Sequence, residues 1–98
     1  MRSLEDIRSK ILKLTYSLKH ILPSMIDCII NVSSTHSPSS SFLNIQTYAR
    51  IRHPDISPIE LLGVSKLTRW LAVIRRDFGY EKYRETIDMV NNIISRNR

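Results

Sequence analysis

Residues 57–79 read SPIELLGVSKLTRWLAVIRRDFG and contain the clearest helix signals in the chain. Ser57, Pro58 and Glu60 are typical of a helix start: a capping serine, a proline at the first helical position, and a glutamate placed to bond back to the cap. Gly79 is a typical helix end. The apolar residues between them recur at intervals of three and four: Val64, Leu67, Leu71, Ile74 and Phe78. This spacing predicts a helix with one buried side.

The N-terminal part of the chain carries the same helical spacing. Ser3 is placed to cap a first helix, predicted over about residues 4–22. Pro23 follows, yet the apolar pattern continues beyond it. We therefore expect either one long first helix that is kinked at Pro23 and runs to about Val32, or two helices. The stripe of the first helix comprises Leu4, Ile7, Ile11, Leu14, Leu18 and Ile21.

Shorter elements are predicted for the remainder. Residues 33–41 are rich in serine and contain no large apolar group to offset the entropy of ordering, so they predict a flexible loop. A short helix should begin near Phe42 and end before His53, which precedes a proline. A last helix is predicted over about 81–95, with acidic residues early and basic residues late.

These elements define the fold class. The 98 residues include only two glycines and four prolines, and their spacing favours helices throughout. We predict an all-α, single-domain bundle of four or five helices over residues 1–98. No apolar stretch is long enough for a membrane span, so we expect no membrane association. A single cysteine, Cys28, excludes an internal disulfide framework and favours an intracellular location, either cytoplasmic or in the nucleoid or nucleus.

The charge balance points to an anionic partner. Fifteen Lys and Arg residues against nine Asp and Glu give a net charge of +6. Lys66, Arg69 and Arg76 fall on one side of the central helix and Arg75 flanks them, so they could contact successive phosphates of DNA. The alternative is an ordinary solvated helix face. We expect Trp70, the only tryptophan, to anchor the core.

The segment Leu62-Gly63-Val64-Ser65 followed by a basic helix resembles the helix-turn-helix DNA-binding family. The resemblance covers about twenty residues and implies a recognition helix in the major groove of DNA. It assigns Gly63 to the turn, Val64 to the core plug, Ser65 to the cap, and Lys66, Thr68 and Arg69 to the groove-facing set. Arg69 departs from the pattern, which expects an apolar residue there. Apart from the resemblance, Gly63 either ends a short turn or is tolerated inside one longer helix.

The apolar stripe from Leu4 to Ile30 supports a different hypothesis. It is long for so small a chain and could dock onto a larger protein subunit or a second copy. The predicted partner-binding residues are Ile7, Ile11, Leu14 and Leu18.

Catalysis has little support in the sequence. His20, His36 and His53 are far apart, and none has a carboxylate or cysteine at metal-ligand spacing. Cys28 lies among apolar residues, where a thiol is normally unreactive. We therefore expect no enzyme activity, metal, cofactor or small-molecule substrate.

Taken together, these features predict a non-catalytic, basic, helical accessory protein that helps a nucleic-acid-processing machine hold its DNA template. A protein-protein adaptor is the alternative, and a helix-turn-helix transcription regulator is the weaker one.

Overall fold

The computed structural model describes residues 2–35 and 38–96, with side chains throughout these ranges except at 38–43. The described residues form helices and short connections, with no strand among them. This confirms the predicted small all-α bundle. The helices are α1 (Leu4–Ser17), α2 (Leu22–Ser33), α3 (Pro38–Arg52), α4 (Pro58–Phe78) and α5 (Tyr80–Ser95).

Helix α4 is the centre of the bundle, because it packs against each of the other four helices. Of the five side chains that the spacing predicted to be buried, four lie in the core: Val64, Leu67, Leu71 and Ile74. The fifth, Phe78, is half-buried and packs against the core. Residues of α1, α2, α3 and α5 complete a single apolar cluster around them. The fold therefore buries one side of each outer helix against α4.

The first predicted helix is divided in two, and the break lies one turn before Pro23. Helix α1 ends at Ser17, and residues 18–21 form a turn before α2 begins. A proline lacks the amide that would bond to the carbonyl of Lys19, and its ring clashes with that carbonyl. Pro23 itself lies in the first turn of α2, where a missing amide costs little. The structure therefore confirms two separate helices and not one helix kinked at Pro23.

Helix α3 begins earlier than the sequence predicts. Its backbone is helical from Pro38, rather than from Phe42. Proline at the first helical position is pre-organised for a helix start, which accounts for the earlier beginning. Of the predicted loop 33–41, residue 33 ends α2, and residues 36–37 lie outside the described part of the chain. The predicted end before His53 is confirmed.

Helix α4 begins with the predicted capping box. The Glu60 amide donates to Ser57 Oγ at 3.1 Å, and the Ser57 amide donates to Glu60 Oε1 at 3.0 Å. The helix then runs without interruption through Gly63. This overturns the turn on which the helix-turn-helix resemblance depends. Ser65 caps no helix, because it lies inside α4. Val64 is a core residue as predicted, but it belongs to this continuous helix and not to a turn.

Gly63 serves the packing of α1 against α4. A Cβ at this position would lie 3.4 Å from Leu18 Cδ1 and 3.7 Å from Leu14 Cδ2. The two helical segments therefore approach closely at Gly63, where a Cβ would only just touch these two leucines. Gly79 has a different role, since its φ of 95° and ψ of 168° turn the chain between α4 and α5. This backbone region is essentially restricted to glycine.

Replacing each of the two glycines with alanine should have opposite effects on the free energy of unfolding. Gly63→Ala should raise the free energy of unfolding by about 0.5–1 kcal/mol, because alanine is the better helix former and its Cβ fits at ordinary van der Waals distance. Gly79→Ala should lower it by about 1–3 kcal/mol, because alanine strains the positive φ. Urea denaturation of both variants measures the two values. A loss of stability in Gly63→Ala would contradict the packing described here.

None of the helices in the described ranges is both long enough and apolar enough to cross a membrane.

Candidate nucleic-acid interface

A groove of about 680 Å³ lies between α1 and α4 and is rich in basic side chains. Helix α1 contributes one wall and α4 the other, and Arg2 lines the groove from just before α1. We call this feature the basic groove. It is lined by Arg2, Lys10, Lys13, Leu14, Lys66, Arg69, Trp70 and Val73.

Helical spacing places these residues on facing sides of the two helices. On α1, Lys10 and Lys13 are three residues apart and therefore neighbours on one side. On α4, Lys66, Arg69 and Val73 follow the same rule. The two sides meet because the apolar stripe of α1 packs on α4 beneath the groove.

The groove concentrates positive charge. Five of its eight lining residues are cationic, and within the described residues none of the eight is acidic. The ion pairs found among the described residues, such as Arg8–Glu85 and Arg76–Asp77, do not involve Lys10, Lys13 or Lys66. Several cations that converge on one concave surface raise the local concentration of anions.

Trp70 forms part of the groove as well as part of the core. The side chain is half-buried and packs against the apolar cluster, so the prediction of a core anchor describes only one side of it. Its ring also lies beneath two cations: Arg2 Cζ is 5.0 Å and Lys10 Nζ is 5.9 Å from the ring centroid. These distances are typical of cation–π contacts. A face of the indole is therefore turned toward the basic groove.

Two of the five predicted nucleic-acid-binding residues lie in the groove. Lys66 and Arg69 are both exposed and line it. Arg76 is outside the lining and binds its neighbour Asp77 through two hydrogen bonds, of 2.8 and 3.2 Å. These bonds lower the pKa of Asp77 and raise that of Arg76.

Arg75 is also outside the groove lining. Its Nε atom is buried and has no hydrogen-bond partner among the described residues. Its charge lowers the pKa of Tyr83 on α5, opposing the larger effect of burial there. Arg75 and Arg76 therefore do not continue the row formed by Lys66 and Arg69.

Thr68 is corrected from a groove-facing residue to a core residue. It is fully buried, and its hydroxyl donates to the Val64 carbonyl at 2.8 Å, one turn earlier in α4. Threonines inside helices commonly bond in this way. The resemblance assigned Thr68 to the same side as Lys66, but helical spacing places it on the side of the buried residues Val64 and Leu71.

The predicted partner-binding stripe of α1 is corrected in the same way. Ile7, Ile11 and Leu18 are buried in the core of the chain's own bundle. Leu14 is half-buried and lines the basic groove. The apolar pattern did indicate a covered face, but α4 and α5 of the same chain cover it.

Sequence reasoning missed Arg2, Lys10 and Lys13 as members of the site. The excess of basic over acidic residues in the N-terminal part of the chain was the available signal. It could not show which helix α1 faces, because the spacing of a single helix says nothing about its neighbour.

The described histidines form separate contacts between elements. His20 Nε2 lies 2.7 Å from Glu60 Oε2, and His53 Nε2 lies 2.6 Å from Ser24 Oγ. The pKa of Glu60 is lowered, first by the hydrogen bond from the Ser57 backbone and then by the bond to His20. His36 lies outside the described residues. No group of three His, Cys, Asp or Glu side chains in the described ranges could hold a metal ion.

Comparisons of this chain with protein-family models, with curated proteins and with solved structures found no match.

Proposed function

We propose that this protein is a non-catalytic, basic accessory protein of a nucleic-acid-processing machine, and that it helps hold the DNA template in the basic groove. The observation that carries the proposal is the convergence of five cations, from α1, α4 and the residue preceding α1, on one concave surface. Lysine and arginine contacts to phosphates supply most of the sequence-independent affinity for nucleic acid. An intracellular location follows from this role.

The groove suits a phosphate backbone better than a small anionic substrate. It is a groove and not an enclosed cavity, and its cations come from two helices and the residue preceding α1. Phosphate contacts of this kind fix the position of a nucleic acid without reading its sequence. The proposed role therefore involves no sequence specificity and no catalytic step.

Salt-dependent binding tests the proposal. The affinity for random-sequence DNA should fall steeply between about 50 and 200 mM salt, because each phosphate contact releases counterions. The triple variant Lys10→Gln, Lys66→Gln and Arg69→Gln should reduce the slope of log affinity against log salt by about 2–3, since each lost contact removes about 0.7–0.9. Fluorescence anisotropy with a labelled oligonucleotide measures both affinities.

A matched control separates the groove from the net charge. The triple variant Arg50→Gln, Arg84→Gln and Arg96→Gln removes the same charge from exposed residues outside the groove. Its slope should stay close to that of the wild type. Equal losses in both triple variants would place the binding surface elsewhere, and an absence of binding at low salt would overturn the proposal.

Self-association is a second candidate function, favoured by one observation. Ile59 is 82% exposed and Leu62 is 51% exposed, and they lie three residues apart on the outer side of α4. Apolar residues exposed side by side are typical of contact surfaces. Size-exclusion chromatography with light scattering should then detect a dimer that Ile59→Glu with Leu62→Glu disrupts. A wild-type monomer at high protein concentration would exclude this candidate.

A further inference from the structure

The indole of Trp70 requires an explanation that phosphate binding does not give. Lysines and arginines are sufficient to hold a phosphate backbone, whether the nucleic acid is single- or double-stranded. An aromatic ring on the groove wall adds nothing to that contact. It does offer a flat surface on which another ring can stack.

The surroundings of the ring favour a ligand that is both flat and anionic. Leu14 and Val73 provide apolar surface beside the indole, while Lys13, Lys66 and Arg69 also line the groove. A nucleobase has a flat π-face that can stack on the indole and contact the apolar surface beside it. The phosphates on either side of the base carry the negative charge that the cations bind. Proteins that bind single strands combine aromatic platforms and basic grooves in this manner.

A duplex cannot use this arrangement. Its bases are stacked on each other, so their faces are hidden from a ring on a groove wall, and exposing one requires the base to leave the stack. The bases of a single strand are already accessible on their faces. Stacking on the indole would therefore favour a single strand over a duplex, whereas the cations bind the phosphates of both.

We infer that the basic groove binds single-stranded nucleic acid, with one base stacked on Trp70 and the adjacent phosphates on Lys13, Lys66 and Arg69. The inference rests on the proposed function and specifies its ligand. In the free protein, Arg2 and Lys10 lie over the indole. When a base binds, they move aside to neighbouring phosphates or cover the base from its outer side.

The unique tryptophan provides a direct probe of this contact. Three ligands of about 12 nucleotides, within the site sizes of single-strand binders, are titrated at low salt: an oligothymidylate, an abasic strand with the same phosphates, and a blunt duplex. The oligothymidylate should quench the fluorescence of Trp70 and bind about 5- to 150-fold more tightly than the abasic strand, which corresponds to one stacked base. The duplex and the abasic strand should leave the fluorescence nearly unchanged.

Two variants distinguish stacking from a structural role. Trp70→Leu should weaken binding of a labelled oligothymidylate by a similar factor and leave binding of the abasic strand unchanged. Trp70→Phe keeps an aromatic face and should recover most of the affinity. An equal loss for both ligands in Trp70→Leu would mean that the indole only supports the fold.

The outcomes also separate this inference from the proposed function. If the abasic strand binds wild-type protein as tightly as the oligothymidylate and neither quenches the tryptophan, the stacking inference fails while DNA binding stands. If none of the three ligands binds at low salt, both fail.

Discussion

Replacing Ile11 with alanine will lower the free energy of unfolding by about 2–5 kcal/mol. Ile11 is fully buried and belongs to the central apolar cluster. Truncation removes three carbon atoms from close-packed surroundings and leaves a cavity that neighbouring side chains fill only in part. Domains of this size are marginally stable, so the loss should be visible directly in the midpoint of urea denaturation.

Ile59→Ala is the matched control for this prediction. The residue type and the change are the same, but Ile59 is 82% exposed whereas Ile11 is 0% exposed. The control should therefore alter stability by no more than about 0.5 kcal/mol. Comparing Ile11→Ala with Ile59→Ala tests whether the apolar side of α1 is part of the core or a docking surface. A docking surface would tolerate alanine in the isolated protein. Similar small effects at both positions would mean that α1 is not covered by the rest of the chain.

Features that depend on a few adjacent residues could be predicted from the sequence. The start of α4 at Pro58 follows from the capping serine and the reciprocal glutamate, which are three residues apart. Its end follows from Gly79, because no other residue adopts that backbone conformation easily. Local hydrogen bonds and local sterics set these boundaries, so the residues on either side are enough to place them.

Gly63 shows where local reasoning stops. A glycine inside a helical pattern is compatible with a turn and with a close approach of another helix. The choice depends on Leu14 and Leu18, which are more than forty residues away and pack next to the glycine. The error at Thr68 has a local cause instead: it lies four residues after Val64 and three before Leu71, so helical spacing alone places it on the buried side.

The basic groove required tertiary structure for a similar reason. The exposed position of Lys66 and Arg69 could be inferred from α4 alone, but the opposite wall belongs to α1. An apolar stripe predicts that one side of a helix is covered and does not identify what covers it. The packing of α1 on α4 therefore determines which cations face each other across the groove.

Tyr83 is the position at which a second large effect is expected. The side chain is 3% exposed, and its hydroxyl lies 2.7 Å from Ser33 Oγ and 3.2 Å from the Ile30 carbonyl, which links α5 to α2. Tyr83→Ala should lower the free energy of unfolding by about 3–5 kcal/mol, as for other buried aromatic residues. Tyr83→Phe should cost only about 1 kcal/mol. The cost is smaller for phenylalanine because it keeps the buried ring and leaves no cavity. Ser33 also retains its bond to the Ile30 carbonyl, so no buried donor is orphaned.

The same hydroxyl predicts a dependence on pH that only the wild type shows. Burial raises the pKa of Tyr83, while the bond to Ser33 and the charge of Arg75 oppose this only in part. The folded protein therefore holds the phenolic proton more tightly than the unfolded chain, whose tyrosines titrate near pH 10, roughly as in model peptides. The stabilising contribution is fully present below that pH and is lost as the pH rises toward the higher pKa of the folded state.

Phenylalanine removes this titration and leaves the other ionisable groups in place. The stability difference between the wild type and Tyr83→Phe should therefore shrink as the pH rises from about 8 to about 11. Urea denaturation of the two proteins at both pH values measures the change, and groups common to both cancel. A constant difference would mean that the hydroxyl reaches solvent and titrates alike in the folded and unfolded states, which its burial between α5 and α2 does not allow.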